Sequence, residues 1–372
     1  MLMSYSQPEV RELPSGYKFE HPQSETTIRL DFQGRWLSFR CGVYFYRRCM
    51  NGDVVCGKGE IPLHCSEKIK LTDKIATTLG QWDQNWNGHN RVKSLLQTAS
   101  GLDFNYYNRQ AALYRAVYPE GVPILPPDRY GDLVVQPVIG CPNRACTFCA
   151  FYKDKPYKML PSDQFAQHLL GIKALLGERC LAKGGLAKDG LFIGSANAMA
   201  LSQRRLMAYL QQIDACFDPF KRGIAAFADP DFSAPRNASQ WQELANAGVT
   251  RLVIGLETGW GALRGRLGKS ADLTRVCHAV EDYKRAGISV GITVLAGACE
   301  AGQQQENVQR TAAFIKALGL ERKDIVYLSP LESVNVDRKL RAQELRLMKQ
   351  HLAVCSDAQI VPYQTQRFRY YC

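Results

Sequence analysis

From Asp132 onward the sequence repeats one pattern, a short apolar run followed by a longer amphipathic stretch. Short apolar runs between turn residues are typical of buried strands, and the amphipathic stretches carry apolar residues at helical spacing. Six units of this kind predict strands at residues 133–139, 190–194, 223–228, 251–255, 288–296 and 324–329. Repeated βα units form a parallel sheet, either an open doubly wound sheet or an incomplete barrel. Both architectures place chemistry at the C-terminal ends of the strands.

The predicted helices between these strands have recognisable ends. They lie at residues 162–176, 201–215, 237–247, 273–286 and 303–318. Ser162 is an N-cap candidate because it precedes an apolar run, whereas Gly248, Gly287 and Gly319 each follow a predicted helix as C-cap candidates. These signals fix the register of strands and helices.

Residues 1–125 do not continue the βα pattern. Residues 35–50 alternate with period two and end at Asn51-Gly52, the strongest short-range signal for a β-hairpin. One face of this strand is predicted to be apolar and consists of Leu37, Phe39, Cys41, Val43 and Phe45. The other face is predicted to be basic and aromatic and consists of Ser38, Arg40, Tyr44, Tyr46 and Arg48. A two-residue Asn-Gly turn would pair Cys49 with Val54 and Arg47 with Cys56. Residues 90–117 are predicted to be helical, and so is a stretch at about residues 337–354.

The composition is that of an ordinary globular protein with many cysteines. Of 372 residues, 46% are hydrophobic and 22% are charged, which excludes a disordered or collagen-like chain. No apolar run approaches the roughly 18 residues of a membrane span, and the first residues lack signal-peptide features, so we expect a cytoplasmic protein. The net charge of +12 fits solubility, an anionic small substrate or a nucleic acid about equally well. Because disulfides rarely persist in the cytosol, thirteen cysteines direct attention to metal-ligand spacing.

The most specific signal is a group of three cysteines directly after the first predicted strand of the βα region. In VIGCPNRACTFCAFYK, Cys141, Cys146 and Cys149 have the spacing C-x4-C-x2-C. Three thiolates on a short loop can hold three irons of a four-iron cluster and leave the fourth iron open. A structural zinc site needs a fourth ligand, and the nearest candidates, His168 and Cys180, lie in or beyond the following helix. Three ordinary buried cysteines are the remaining alternative.

This segment resembles the radical S-adenosylmethionine (radical SAM) superfamily. The usual spacing there is C-x3-C-x2-C with an aromatic residue before the last cysteine, a place that Phe148 takes here. The first gap is one residue longer, as in a similar branch of uncharacterised iron–sulfur oxidoreductases related to coproporphyrinogen oxidase-like enzymes. The resemblance covers about residues 132–330 and implies a (βα)6 partial TIM barrel. We therefore expect an N-terminal α+β extension with a β-hairpin at 1–127, a core at 128–330, and a C-terminal helix and tail at 331–372.

The resemblance also implies a reaction and its cofactors. Cys141, Cys146 and Cys149 would hold a [4Fe-4S] cluster, and its open iron would bind the amino and carboxylate groups of SAM. One-electron reduction, from a protein such as flavodoxin or ferredoxin, would cleave SAM to methionine and a 5′-deoxyadenosyl radical. That radical would abstract hydrogen from a substrate that the sequence does not identify. The protein would supply position, a dry cavity and electrostatics.

Two further strand ends match family positions for SAM. After the second strand, LFIGSANAMAL carries Gly194, Ser195 and Asn197, where family members have a turn that holds the SAM amino group. No acid is present in this turn, but backbone carbonyls of Gly194 and Ser195 can still accept from an ammonium. After the fourth strand, RLVIGLETG carries Glu257, which the resemblance places facing SAM or substrate. The alternative for Glu257 is a surface ion pair with Arg264 or Arg266.

The last two strand ends are predicted to contact adenine. In VLAGACE, Gly297 belongs to a segment that packs on adenine in the family, and in VYLSPL the backbone around Leu328 reads its edge. Asp229 and Asp231 follow the third strand and either bind substrate or shape the turn, with Asp229 or Ser233 capping the next helix.

The N-terminal region leaves two alternatives open. Four thiols, Cys41, Cys49, Cys56 and Cys65, raise the possibility of an auxiliary metal site, although they lack a two-cysteine knuckle. The basic and aromatic strand face can stack bases, although no RNA-binding family motif is present. The competing functions are a zinc-containing nucleic-acid-binding protein without catalysis and a cluster protein that acts only in electron transfer.

Overall fold

The structure, a computed structural model, divides the chain into two compact units. It describes residues 7–57, 61–177, 190–194, 196–332, 337–365, 368 and 370. The first unit comprises Met1–Gly121, Leu170–Asp189 and Arg369–Cys372, and the second comprises Val122–Leu169 and Gly190–Phe368. The domain boundaries at residues 127 and 330 stay a prediction. No helix in the described part of the chain is long and apolar enough to cross a membrane.

The first unit contains an antiparallel sheet whose seven strands follow one another in chain order. They are β1 (Glu9–Leu13), β2 (Gly16–His21), β3 (Thr26–Leu30), β4 (Trp36–Cys41), β5 (Tyr44–Arg48), β6 (Val54–Cys56) and β7 (Ile61–Pro62). Three helices follow, α1 (Cys65–Gln84), α2 (Asn90–Ser100) and α3 (Phe104–Val117). The core between sheet and helices includes Phe19, Ile28, Trp36, Ile75 and Leu96, all at most 2% exposed.

The predicted hairpin at residues 35–56 forms with a different register. Gly42 and Val43 interrupt the alternation as a two-residue turn, with Cys41 paired to Tyr44 and Gly42 at φ +56°. Val43, predicted on the apolar face, is therefore 89% exposed. The turn at Asn51-Gly52 is longer than two residues, because the Cys49 amide donates to the Asp53 carbonyl at 2.7 Å.

The longer turn shifts the β5–β6 pairing by one residue from the predicted register. Arg48 lies opposite Val54 and Tyr46 opposite Cys56. The predicted basic face is wrong at Arg48, which is 6% exposed and donates to the Trp36 carbonyl at 2.7 Å. Its guanidinium also lies over the Tyr107 ring, 4.9 Å from the centroid. Arg48 therefore packs in the interior of the first unit and is not part of an exposed basic face.

The second unit is built on a parallel sheet of seven strands, also in chain order. They are β8 (Leu133–Val135), β11 (Leu191–Ile193), β12 (Ile224–Ala228), β13 (Val249–Glu257), β14 (Ser289–Ala296), β15 (Ile325–Pro330) and β16 (Gln359–Pro362). A separate two-stranded ribbon pairs β9 (Val138–Ile139) with β10 (Lys158–Met159). Within the described residues no pairing joins β8 to β16, so this is an α/β unit with an open parallel sheet.

The helices of the second unit lie close to their predicted positions. They are α4 (Ser162–Leu176), which crosses the division between the units, α5 (Gln203–Cys216), α6 (Ala238–Asn246), α7 (Gly261–Arg266), α8 (Thr274–Arg285), α9 (Gln304–Ala317) and α10 (Arg338–Cys355). Gly248, Gly287 and Gly319 all have positive φ at the second position after a helix, directly after the C-cap residues Ala247, Ala286 and Leu318, which confirms that they terminate these helices. Ser162 is the first helical residue instead of the N-cap.

Two features of this sheet differ from the sequence prediction. The first strand ends early, because the Gln136 amide donates to His168 Nε2 at 3.0 Å and Pro137 has no N–H, and β9 pairs with β10 instead. A seventh strand, β16, lies in the segment predicted as a tail and pairs in parallel with β15. Because the strands run in one direction, their C-terminal ends meet along one edge of the sheet.

Candidate functional site

A cavity of about 370 Å³ lies at the C-terminal ends of the parallel strands. Its walls include residues at the ends of four strands: Asp229 after β12, Glu257 on β13, Leu295 on β14 and Ser329 on β15. The cysteine loop closes another side. The position agrees with the rule that α/β enzymes build their sites at this edge.

All three motif cysteines line this cavity together with Phe148. They lie on the loop that connects β9 to β10. The loop begins at Gly140, which has φ +73°, and a side chain there would come within 2.4 Å of the Pro156 carbonyl oxygen. Glycine at this position therefore lets the two ends of the loop approach each other.

The cysteine loop is held by the segment that follows α7. The Thr147 amide donates to the Leu267 carbonyl at 3.1 Å, and Asn143 Nδ2 donates to the Gly268 carbonyl at 3.2 Å. Gly268 has φ +81°, and a Cβ there would lie 2.1 Å from the Ala145 carbonyl oxygen. Only glycine permits this approach, so Gly268 fixes the loop against the end of β13.

The thiols are in a protected environment. Burial raises the pKa of Cys141 to about 11 and that of Cys146 to about 12. Asn143 Nδ2 is 3.2 Å from the Cys146 sulfur, the kind of N–H contact that tunes cluster sulfurs. Among the described residues, no three His, Cys, Asp or Glu side chains lie close enough together to hold a metal ion, in either unit.

The donor chemistry nevertheless fits an iron–sulfur cluster. Three thiols that line a single cavity, one with an N–H donor at its sulfur, match the kind and number of ligands of a site-differentiated [4Fe-4S] cluster. The described lining of the cavity contains no histidine and no fourth cysteine, which a closed zinc site would use.

A buried cation lies on the floor of the cavity. Lys269 Nζ donates to the Gly255 carbonyl at 2.7 Å and lies 3.3 Å from Asp229 Oδ2 and 3.7 Å from Glu257 Oε1. Burial lowers the pKa of Lys269, but the carboxylates of Asp229 and Glu257 outweigh burial and hold that pKa above its usual value. The ammonium is therefore charged and shared between two acids.

Glu257 has an unusual backbone. Its φ is +68°, a left-handed conformation that costs a non-glycine residue about 1–3 kcal/mol, and the β13–β14 register shifts at this point. The residue is 5% exposed. The surface ion pair offered as an alternative is wrong, because Arg264 pairs with Asp231 at 3.0 Å and Arg266 with Glu300 at 2.9 Å.

The acids after β12 have different roles. Asp229 lines the cavity and pairs with Lys269, while its Oδ1 accepts from the Asp231 amide at 3.1 Å. Asp231 is held by the buried Arg264. Neither Asp229 nor Ser233 caps the next helix, because Asn237 caps α6 and accepts from the Gln240 amide at 2.9 Å.

Four of the remaining predicted SAM contacts, Gly194, Asn197, Gly297 and Leu328, are not in the described lining of the cavity. Gly194 is buried and donates to the Val135 carbonyl at 2.7 Å, and Asn197, fully buried, donates to the Asp229 carbonyl at 3.3 Å. Ser195 lies outside the described residues, whereas its neighbour Ala196 lines the cavity. The Leu328 carbonyl accepts from the Tyr363 amide at 2.8 Å, and the next residue, Ser329, lines the cavity.

Gly297 belongs to a buried polar network at the end of β14, outside the described lining of the cavity. Its amide donates to Glu344 Oε2 at 2.6 Å, and Glu344 Oε1 accepts from Asn307 Nδ2 at 2.6 Å. Thr258 Oγ1 donates to Asn307 Oδ1 at 2.5 Å. A carboxylate on α10 therefore connects the end of β14 to the residue that follows Glu257.

Sequence reasoning missed two groups in the site. Lys269 follows Gly268 in RLGKS, where nothing in the spacing distinguishes it from a surface lysine. Tyr363 and Thr365 come from the segment after β16 and line the cavity because that segment forms a strand. The signal was the short apolar run at Ile360 and Val361.

No protein-family model matches the chain, and no curated protein matches it. Among solved structures, it is similar to the radical SAM enzyme coproporphyrinogen III oxidase from Escherichia coli, with 16% identity, TM-score 0.45, and coverage of 66% of this chain and 55% of that one. The cobalamin-dependent S-adenosylmethionine radical enzyme OxsB is 17% identical, with TM-score 0.40 and coverage of 61% and 31%. The radical S-adenosylmethionine methyltransferase TsrM from Kitasatospora setae is 16% identical, with TM-score 0.39 and coverage of 54% and 36%. The chain thus spans about a third of the length of OxsB and TsrM, and the three structures that it resembles here are radical SAM enzymes.

Proposed function

We propose that this chain is a radical SAM enzyme that holds a [4Fe-4S] cluster on Cys141, Cys146 and Cys149. One observation carries the proposal: all three cysteines of the motif line the same cavity as the buried group of Lys269, Asp229 and Glu257. The finer fold assignment belongs to the same proposal, namely a partial barrel of six βα units extended by β16.

The cavity offers complementary surfaces for SAM beside the thiols. Glu257 and Asp229 are acceptors for an ammonium or a ribose hydroxyl, and Lys269 is a donor for a carboxylate. Phe148, Phe227 and Val253 form an apolar wall against which an adenine ring can pack. These contacts replace the carboxylate that the turn at Gly194 lacks.

A cluster held by the three thiols supplies one electron at a time, and SAM supplies the 5′-deoxyadenosyl radical that abstracts hydrogen from the substrate. The chain's own residues would position these partners and exclude solvent from the cavity, which strengthens the electrostatic contacts inside it. The electron donor in this proposal is a small reductant protein such as flavodoxin or ferredoxin.

The test is anaerobic reconstitution of the full chain with iron and sulfide, reduction with dithionite, and chromatography for 5′-deoxyadenosine after SAM is added. We expect 5′-deoxyadenosine from the wild type and none from Cys146→Ser. Cys277→Ser, which changes a thiol on α8 far from the motif in sequence, is the matched control and should retain the product. A colourless protein that binds zinc and leaves SAM intact would contradict the proposal, and so would a brown protein that never cleaves SAM.

The role of Glu257 is tested separately with Glu257→Gln. This change removes the charge and keeps the shape, so iron content should remain at the wild-type level while SAM binding or turnover falls. The measurements are iron per chain and the KM for SAM. Unchanged kinetics would assign Glu257 a structural role only.

A further inference from the structure

A second pocket lies beside the cavity and is lined in part by α10. It has a volume of about 330 Å³ and shares Pro330, Glu332 and Thr365 with the cysteine-lined cavity. Its own wall includes Arg338 and Arg341, one turn apart on α10. We call this space the arginine pocket. The three shared residues place the two guanidinium groups next to the wall of the main cavity, near the ends of β15 and β16.

The two arginines have different environments. Arg341 Nη1 donates to the Leu331 carbonyl at 2.6 Å and lies 3.2 Å from Glu332 Oε2, so its guanidinium is fixed beside the shared wall. Arg338 is exposed, and no ion pair to its guanidinium occurs among the residues that the structure describes. Two positive charges thus face one carboxylate, which leaves the pocket with a net positive charge.

Tyr363 is a buried tyrosine of the main cavity close in sequence to the shared wall. Tyr363 is 2% exposed and lines the main cavity, two residues before Thr365 of the shared wall. Its hydroxyl has no hydrogen-bond partner in the described part of the protein. The hydroxyl oxygen is itself buried, so Tyr363 presents the rest of its side chain to the cavity, and a ligand there would pack on the ring.

We propose that the substrate carries an anionic group, a carboxylate or a phosphate, which binds in the arginine pocket at Arg338 and Arg341. Guanidinium groups match the planar or tetrahedral oxygens of such anions with paired hydrogen bonds. The remainder of the substrate lies along Tyr363 towards the cysteine loop. That the bound anion belongs to a substrate rests on the proposed function. Binding of the anion itself can be measured without any turnover.

The test is calorimetric titration of the reconstituted full chain at low ionic strength, without SAM, first with inorganic phosphate and then with citrate as the carboxylate probe. We expect Arg338→Gln combined with Arg341→Gln to weaken binding of the preferred anion by about tenfold or more. Arg346→Gln removes an exposed charge from the same helix outside the pocket and should change binding less than about twofold. Tighter binding of phosphate than citrate indicates a phosphorylated substrate, and the reverse indicates a carboxylic acid.

Two results would overturn the inference. One is equal weakening in the double variant and in Arg346→Gln, which would mean attraction by overall charge. The other is absence of measurable binding of both anions to the wild type. Failure of the proposed function has a different signature, because it is absence of 5′-deoxyadenosine from the wild type, whatever the anion titrations give.

Discussion

The two units each contain a seven-stranded sheet in chain order, but they use it differently. In the antiparallel sheet, successive strand ends alternate between the two edges, so loop residues are divided between opposite sides. In the parallel sheet every C-terminal end is at the same edge, and Asp229, Glu257 and Ser329 meet there although about a hundred residues separate the first from the last. The common direction of the strands therefore explains why these strand-end residues line one cavity, to which a single loop adds the three motif cysteines.

The sharpest test of this contrast compares cysteines from the two units. Cys149→Ala removes a proposed cluster ligand and should abolish the cluster, whereas Cys56→Ala, on β6 of the antiparallel sheet, should leave iron unchanged. The measurement is iron and sulfide per chain after reconstitution, with the absorbance of the cluster. Full iron content in Cys149→Ala would remove the basis for the ligand assignment.

The second test removes the buried cation. Lys269→Met leaves Asp229 and Glu257 without their shared partner, and uncompensated buried charge destabilises a protein by about 3–5 kcal/mol. Lys284→Met is the control, because the Lys284–Glu321 pair is on the surface and is worth less than about 1 kcal/mol. Urea unfolding followed by circular dichroism gives both values. If both variants lost the same small amount of unfolding free energy, Lys269 would not be needed to stabilise the group that it forms with Asp229 and Glu257.

A third test asks whether the antiparallel sheet contributes to the site. Ile28 is fully buried in the core of the first unit, and Ile28→Ala should lower the free energy of unfolding by about 2–5 kcal/mol. At a temperature where the variant is folded, its iron content should equal that of the wild type. Loss of iron from a folded Ile28→Ala protein would show that the first unit supports the cluster.

The smallest expected effects come from two tyrosines beside each other on β15 and after β16, with ring centroids 5.8 Å apart. Tyr327 donates to Asp128 Oδ1 at 2.7 Å, so Tyr327→Phe should cost about 1 kcal/mol. Tyr363→Phe removes an unpartnered hydroxyl and should leave the melting temperature unchanged or slightly raised. A clear loss of stability in Tyr363→Phe would show that the free protein already satisfies this hydroxyl.

Sequence reasoning reached most of the parallel sheet because its signals are local. Buried strands such as β13 and β14 are continuous apolar runs, and the glycines after α6, α8 and α9 mark helix ends without reference to distant residues. The cysteine motif is local too. The part of the candidate site that these local signals predict is the cysteine loop between β9 and β10.

The missed features depend on contacts between distant segments. Nothing near Lys269 shows that two acids from other strand ends surround it, and nothing near Glu257 shows its left-handed backbone. The four-residue strand β16 contains a proline and pairs only because β15 offers a free edge. In the first unit, a two-residue turn at Gly42 and a longer one at Asn51 change the faces of the strands, because a shift of one residue moves side chains to the opposite face.

The network around Glu344 has a consequence for the timing of biosynthesis. Gly297 at the end of β14 obtains its hydrogen-bond acceptor from a residue 47 positions later in the chain, and Asn307 depends on the same carboxylate. During translation at roughly 5–20 residues per second, several seconds separate the emergence of β14 from that of Glu344. The hydrogen bonds that hold the end of β14 therefore form only after β15 has been synthesised, and they depend on a residue of α10.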